Sequence, residues 1–101
     1  MTLVSSLINK ERLRNQHMIE AYNNELAMLP KGSIRKKILG NKIYYYLTYR
    51  DGKKVISKYI GKNEQSIEQI RHELNKRIHV EEMLKKLKIE QIQIKKMEEL
   101  L

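Results

Sequence analysis

The stretch PKGSIRKKILGNKIYYYLTYRDGKKVISKYIGKN, running from Pro30 to Asn63, decides how this chain folds. Two dipeptides punctuate it. Gly40-Asn41 and Asp51-Gly52 each lie between runs rich in Ile, Val, Thr and Tyr, and such pairs supply the positive φ angles that two-residue hairpin turns need. The stretch therefore reads as three β-strands within residues 32–61. With two-residue loops the register follows: Leu39 faces Lys42 across the first turn, and Arg50 faces Lys53 across the second.

Side chains alternate along a strand, so this register sorts the residues onto two faces. One face gathers Ile34, Ile38, Ile43, Tyr45, Leu47, Tyr49, Ile56 and Ile60. Its expected cross-strand rows are Ile34–Leu47–Ile56 and Ile38–Ile43–Ile60, and it is expected to be buried. The other face gathers Arg35, Lys37, Lys42, Tyr44, Tyr46, Thr48, Arg50, Lys53, Ser57 and Tyr59, with Leu39 and Val55 as its only aliphatic members. It is basic, aromatic and hydroxylated. A three-stranded sheet needs cover on its apolar side only, so this face is expected to stay open.

The charge of the chain is concentrated in the same stretch. The formal net charge is +9. Between Pro30 and Asn63 ten basic side chains face a single acidic one, Asp51, whereas each flank carries equal numbers of the two signs. Solubility alone would spread such a charge over the whole surface; its concentration points to a polyanionic partner.

Outward from the sheet the chain reads as helix on both sides. Over residues 3–29, Val4, Leu7, Ile8, Met18, Tyr22, Leu26 and Leu29 fall near helical spacing, with a polar interruption from Lys10 to His17 broken only by Leu13. Pro30 disfavours helical geometry at Leu29, and Lys31-Gly32 turns the chain into the sheet. After Gly61, Asn63 is positioned as an N-cap with Glu64 in the first turn, and no Pro or Gly interrupts the chain from there to Leu101. Ile67, Ile70, Leu74 and Ile78 form the first apolar stripe. Val80, Leu87, Ile94 and Leu101 then recur every seven residues, with Met83, Leu84 and Met97 beside them. A helix over residues 64–100 would extend on the order of 55 Å, more than one small sheet covers. Its surplus is expected to pair with the first helix as an antiparallel coiled coil and to support a homodimer. The expected fold is α+β: one domain over residues 1–101, with an N-terminal helix, a three-stranded antiparallel β-meander and a long C-terminal helix.

Several function classes are excluded by what the chain lacks. It has no cysteine, which removes disulfide scaffolds, thiolate zinc sites and cysteine catalysis. No apolar run is long enough to span a bilayer, and the N-terminus lacks the basic-then-apolar order of a signal peptide, so a soluble cytoplasmic protein is expected. His72 and His79 stand seven residues apart on one helix, about 10.5 Å in rise, too far to share a metal ion. Gly61-Lys62 lacks the upstream glycine and following hydroxyl of a phosphate loop. No catalytic site, metal site or cofactor is expected.

The remaining chemistry is binding. Lys and Arg neutralise phosphates, while tyrosines stack on bases or hydrogen-bond to phosphate oxygens. Arg35, Lys37, Lys42, Arg50 and Lys53 are the candidate phosphate contacts, and Tyr44, Tyr46 and Tyr59 the candidates for bases or sugars. The competing reading of the lysines, edge protection against aggregation, accounts for Lys53 and Lys58 but not for the whole charge.

The string Leu29-Pro30-Lys31-Gly32-Ser33-Ile34, with Gly40, Tyr44-Tyr45-Tyr46-Leu47, Tyr49-Arg50-Asp51-Gly52-Lys53-Lys54-Val55 and Ser57-Lys58-Tyr59-Ile60-Gly61-Lys62, resembles a family of small uncharacterised proteins of bacteria, archaea, phages and other mobile elements. The resemblance covers about a third of the chain and carries no activity with it. At the level of fold, a basic three-stranded sheet backed by a helix is similar to the DNA-binding sheets of phage and transposon integrases. The expected function is non-catalytic nucleic-acid binding by a phage or mobile-element protein, with DNA favoured over RNA. The alternative is a small anti-CRISPR-like inhibitor that binds a nucleic-acid-guided host nuclease.

Overall fold

The computed structural model describes residues 2–101. The chain is α+β, in the order α1 (Leu3–Met28), β1 (Ser33–Leu39), β2 (Lys42–Asp51), β3 (Lys54–Gly61) and α2 (Glu64–Glu99). The strands form one antiparallel meander, β1-β2-β3. Each helix begins at a side-chain cap. Thr2 accepts the Ser5 amide on Oγ1 at 3.1 Å, and Asn63 Oδ1 accepts the Gln65 amide at 3.1 Å. Ahead of Pro30, α1 stops at Met28, as the proline's steric demand on the preceding residue requires.

The first hairpin has the register the sequence predicts, with Leu39 opposite Lys42 and Ile34 opposite Leu47. The second differs. Asp51 pairs with Lys54, so the loop is Gly52-Lys53 rather than Asp51-Gly52. A turn tipped by Asp51-Gly52 would need a positive φ at the aspartate. A loop that begins with glycine needs it at Gly52 only, where φ is +63°, and among the described residues no non-glycine takes a positive φ. The shift also sets Asp51 against Lys54, an oppositely charged pair.

Because the slip is two residues, every side chain keeps its face while the rows change. Leu47 lies opposite Lys58, and Ile56 opposite Tyr49, so the expected row Ile34–Leu47–Ile56 is not formed. Nor is Ile38–Ile43–Ile60. A bulge places Tyr45 opposite Gly61 and Tyr46 opposite Tyr59, leaving Ile60 as the extra residue. Ile38 and Ile43 do pair, but at the tip of the first hairpin they are 65% and 40% exposed, not buried.

Two compact units make up the chain. The first spans Leu29–Ile78 and contains the sheet and the beginning of α2. Its buried apolar residues are Leu47 and Ile67. Tyr45 shares a small cleft with Glu64, Ile67, Glu68 and Arg71, which places the first turns of α2 on the Ile/Leu face of the sheet. Arg77 donates from Nη1 to the carbonyl oxygen of Leu29 at 3.1 Å. Gly32, at a φ of +115°, lies so close to β2 that a Cβ there would collide with the Thr48 carbonyl oxygen.

The second unit combines α1 with the chain from His79 onward. Here α1 and the end of α2 run antiparallel, with Arg12 paired to Glu98 at 3.2 Å and Arg14 to Glu90 at 3.1 Å. The seven-residue repeat is realised by Val80, Leu87 and Ile94, joined by Leu84, all buried. Burial of side chains of this size contributes roughly 2 kcal/mol each. The repeat fails at its end: Leu101 lies beyond α2 and is exposed, as is Met97. Val4 and Leu7 of the predicted α1 stripe are exposed too, and so is Ile78 of α2. The residue of α1 that is buried is polar. Asn15, 1% exposed, donates from Nδ2 to the Leu87 carbonyl oxygen at 2.9 Å and to Glu90 Oε1 at 3.1 Å, while its own Oδ1 is buried without a partner.

Candidate nucleic-acid interface

The face of the sheet opposite Tyr45 and Leu47 carries Ser33, Arg35, Lys37 and Leu39 from β1, Lys42, Tyr44, Tyr46, Thr48 and Arg50 from β2, and Val55, Ser57 and Tyr59 from β3. Arg35, Lys37, Lys42 and Arg50 are exposed on it, as expected. Lys53 is exposed as well, but it sits in the β2–β3 turn rather than in a strand opposite Arg50; Val55 takes that place.

The three predicted tyrosines come together. Tyr46 and Tyr59 are cross-strand partners with ring centroids 5.6 Å apart, edge to face. Tyr44 leans on Tyr59 from the diagonal position at 6.2 Å. The two-residue slip in register creates this cluster, because it places Tyr59 beside Tyr46 instead of beside Tyr44. Tilted and edge-to-face geometries suit the ring quadrupoles and hold the phenols in place. Tyr44 and Tyr46 are half-buried, whereas Tyr59 is 48% exposed. One row crosses the sheet as Arg35–Tyr46–Tyr59, and the next as Ser33–Thr48–Ser57, in which the Thr48 and Ser57 hydroxyl oxygens stand 3.5 Å apart.

One member was not anticipated. Lys62, just beyond β3, holds its Nζ 5.0 Å from the centroid of the Tyr44 ring, a cation–π contact that adds a further charge to the aromatic cluster. The signal for it in the sequence is weak, since its position depends on the bulge at Ile60. On the covered side Lys31 lies over Tyr49 at 5.9 Å, so the basic residues of this unit do not all serve the open face; Lys36, Lys54 and Lys58 also alternate away from it.

The division of charge between the units is complete. Leu29–Ile78 holds thirteen basic and four acidic side chains, which accounts for the whole +9, and the unit built from α1 and the end of α2 holds eight of each. Among the described residues no group of three or more His, Asp or Glu side chains gathers as a metal site, and no helix is long and apolar enough to cross a membrane. What the open face offers is four exposed cations on its strands, with Lys62 beside a fixed aromatic centre and Lys53 in the adjoining turn, an arrangement suited to phosphates at its margin and flat apolar groups at its middle.

No curated protein and no solved structure matches the chain. One family does, over residues 10–72, a span that takes in most of α1, the whole sheet and the first turns of α2. The chain belongs to the family described as Domain of unknown function (DUF6788).

Proposed function

We propose that this is a non-catalytic, cytoplasmic nucleic-acid-binding protein of a phage or mobile element, which binds through the open face of its sheet. The observation that carries the reading is the confinement of the net charge to the sheet-bearing unit, with Arg35, Lys37, Lys42 and Arg50 exposed on the face that holds three clustered tyrosines and Lys53 exposed in the turn beyond it. Edge protection requires only a few lysines on β1 and β3; it does not require tyrosines at the centre or a neutral second unit. The neutral unit suits a different task. With Leu7, Leu13, Ile92 and Met97 exposed and no net charge to oppose association, it is the surface through which two copies would pair.

Fluorescence anisotropy of labelled oligonucleotides, titrated with salt, tests the reading. Five phosphate contacts give a log–log slope of about −4.5 on duplex and about −3.5 on single strands. The charge reversals Arg35→Glu and Lys37→Glu together flatten that slope by about 1.8 or 1.4 respectively, with an unchanged circular dichroism spectrum. Weak binding to every polymer at low salt rejects the proposal and leaves a protein target, of the kind an inhibitor of a nucleic-acid-guided nuclease would have.

A further inference from the structure

We infer that the Tyr44–Tyr46–Tyr59 cluster is a base-stacking platform, and that the polymer bound by this face is single-stranded rather than duplex. The inference rests on the nucleic-acid reading above and narrows it. A duplex keeps its base faces inside its own stack and presents phosphates and base edges. The side chains that read base edges with two hydrogen bonds at once are Arg, Lys, Asn and Gln, and they belong where the groove meets the protein. Here that central place is occupied by phenol rings. The open face carries no Asn or Gln, and of the central row only Arg35, on the outer strand β1, has a forked donor.

A single strand makes the opposite demand. Its unstacked bases need flat apolar partners, and its phosphates need cations a short distance to either side. Tyr59 meets the first need: its ring is 48% exposed, yet it is held by Tyr46 at 5.6 Å and by Tyr44 at 6.2 Å, so little freedom remains to be lost on binding. Lys62 already lies over Tyr44, which leaves Tyr59 as the ring open to a base. Arg35 and Lys37 on β1 and Lys42 and Arg50 toward the two ends of β2 meet the second need. The hydroxyls of Thr48 and Ser57 in the adjacent row add donors and acceptors for the edge of a base stacked there.

The test uses the full chain, a 12-nucleotide thymidine strand and a duplex of equal length at matched salt. The protein has six tyrosines and no tryptophan, so its intrinsic emission reports stacking directly. The expected result is tighter binding of the single strand, with saturable quenching of tyrosine emission. Tyr59→Leu should then lower single-strand affinity by about 5- to 150-fold while leaving the salt slope unchanged. Tyr59→Phe should bind like the parent, since stacking needs the ring and not the hydroxyl. A duplex bound as tightly as the single strand overturns the inference while leaving nucleic-acid binding in place. Loss of affinity in Tyr59→Phe overturns it as well, because the hydroxyl would then be bonding a phosphate. Failure of both polymers to bind removes the parent reading too.

Discussion

Replacing Asn15 by Asp changes one atom of the buried polar contact between α1 and α2, and the structure sets the size of the effect. Asn15 donates twice from Nδ2, to the Leu87 carbonyl oxygen and to Glu90 Oε1 at 3.1 Å. In Asn15→Asp both donors are lost, and a carboxylate faces a carbonyl oxygen and a second carboxylate. Two lost hydrogen bonds cost about 2 kcal/mol. Two like charges near 4 Å add about 4 kcal/mol at an effective dielectric constant near 20. The Glu90 side chain is 38% exposed and Arg14 pairs with it, so solvent and that guanidinium remove about half of the repulsion. The expected loss is about 4 kcal/mol, a large part of the stability of a domain this small. Urea unfolding at neutral pH, followed by circular dichroism, measures it. Protonating the introduced carboxyl removes the repulsion, so the loss should shrink as the pH falls toward 4. Adding Glu90→Gln to the variant should restore about 2 kcal/mol at neutral pH. A single variant within 1 kcal/mol of the parent at pH 7 would refute the packing of Asn15 against Glu90.

Two glycines should respond very differently to the same substitution. Gly52→Ala meets nothing within 4 Å and suffers only its positive φ, a cost of about 1–2 kcal/mol; Gly32→Ala adds a Cβ that collides with the Thr48 carbonyl oxygen and stands 2.9 Å from the Tyr49 Cβ, and should cost at least twice as much in thermal or urea unfolding. Equal effects would mean that Gly32 does not approach β2. Self-association should be lost in Ile92→Glu, a residue 57% exposed beside α1, with helix content unchanged; sedimentation showing one mass for parent and variant would remove the dimer.

Most of the architecture was legible because each boundary has a local cause. Pro30, Gly40, Gly52 and Asn63 act on their immediate neighbours, and the strand period of two assigns faces without knowledge of the pairing partner. What escaped the sequence depended on a choice between local options of similar energy. An Asp-Gly pair can occupy the loop together or lend the loop only its glycine, and the chain takes the second course at Asp51. That choice, with the bulge at Ile60, decides which tyrosines touch: the residues of the open face could be named in advance, but neither the Tyr46–Tyr59 contact nor the position of Lys62. Asn15 was missed for another reason. It lies in a polar run whose pattern signals solvent, and its burial is set by Leu87 and Glu90, more than seventy residues away.

The segregation of charge has a thermodynamic side. Nine net positive charges within Leu29–Ile78 repel one another in the free protein, so the sheet folds against its own electrostatic pressure, whereas the neutral helical unit folds under none. Added salt relieves that pressure, and a bound polyanion would relieve it more completely. The same repulsion keeps the unpaired edges of β1 and β3 from joining those of another molecule. An excess of positive charge that costs the isolated sheet stability thus also keeps it from aggregating.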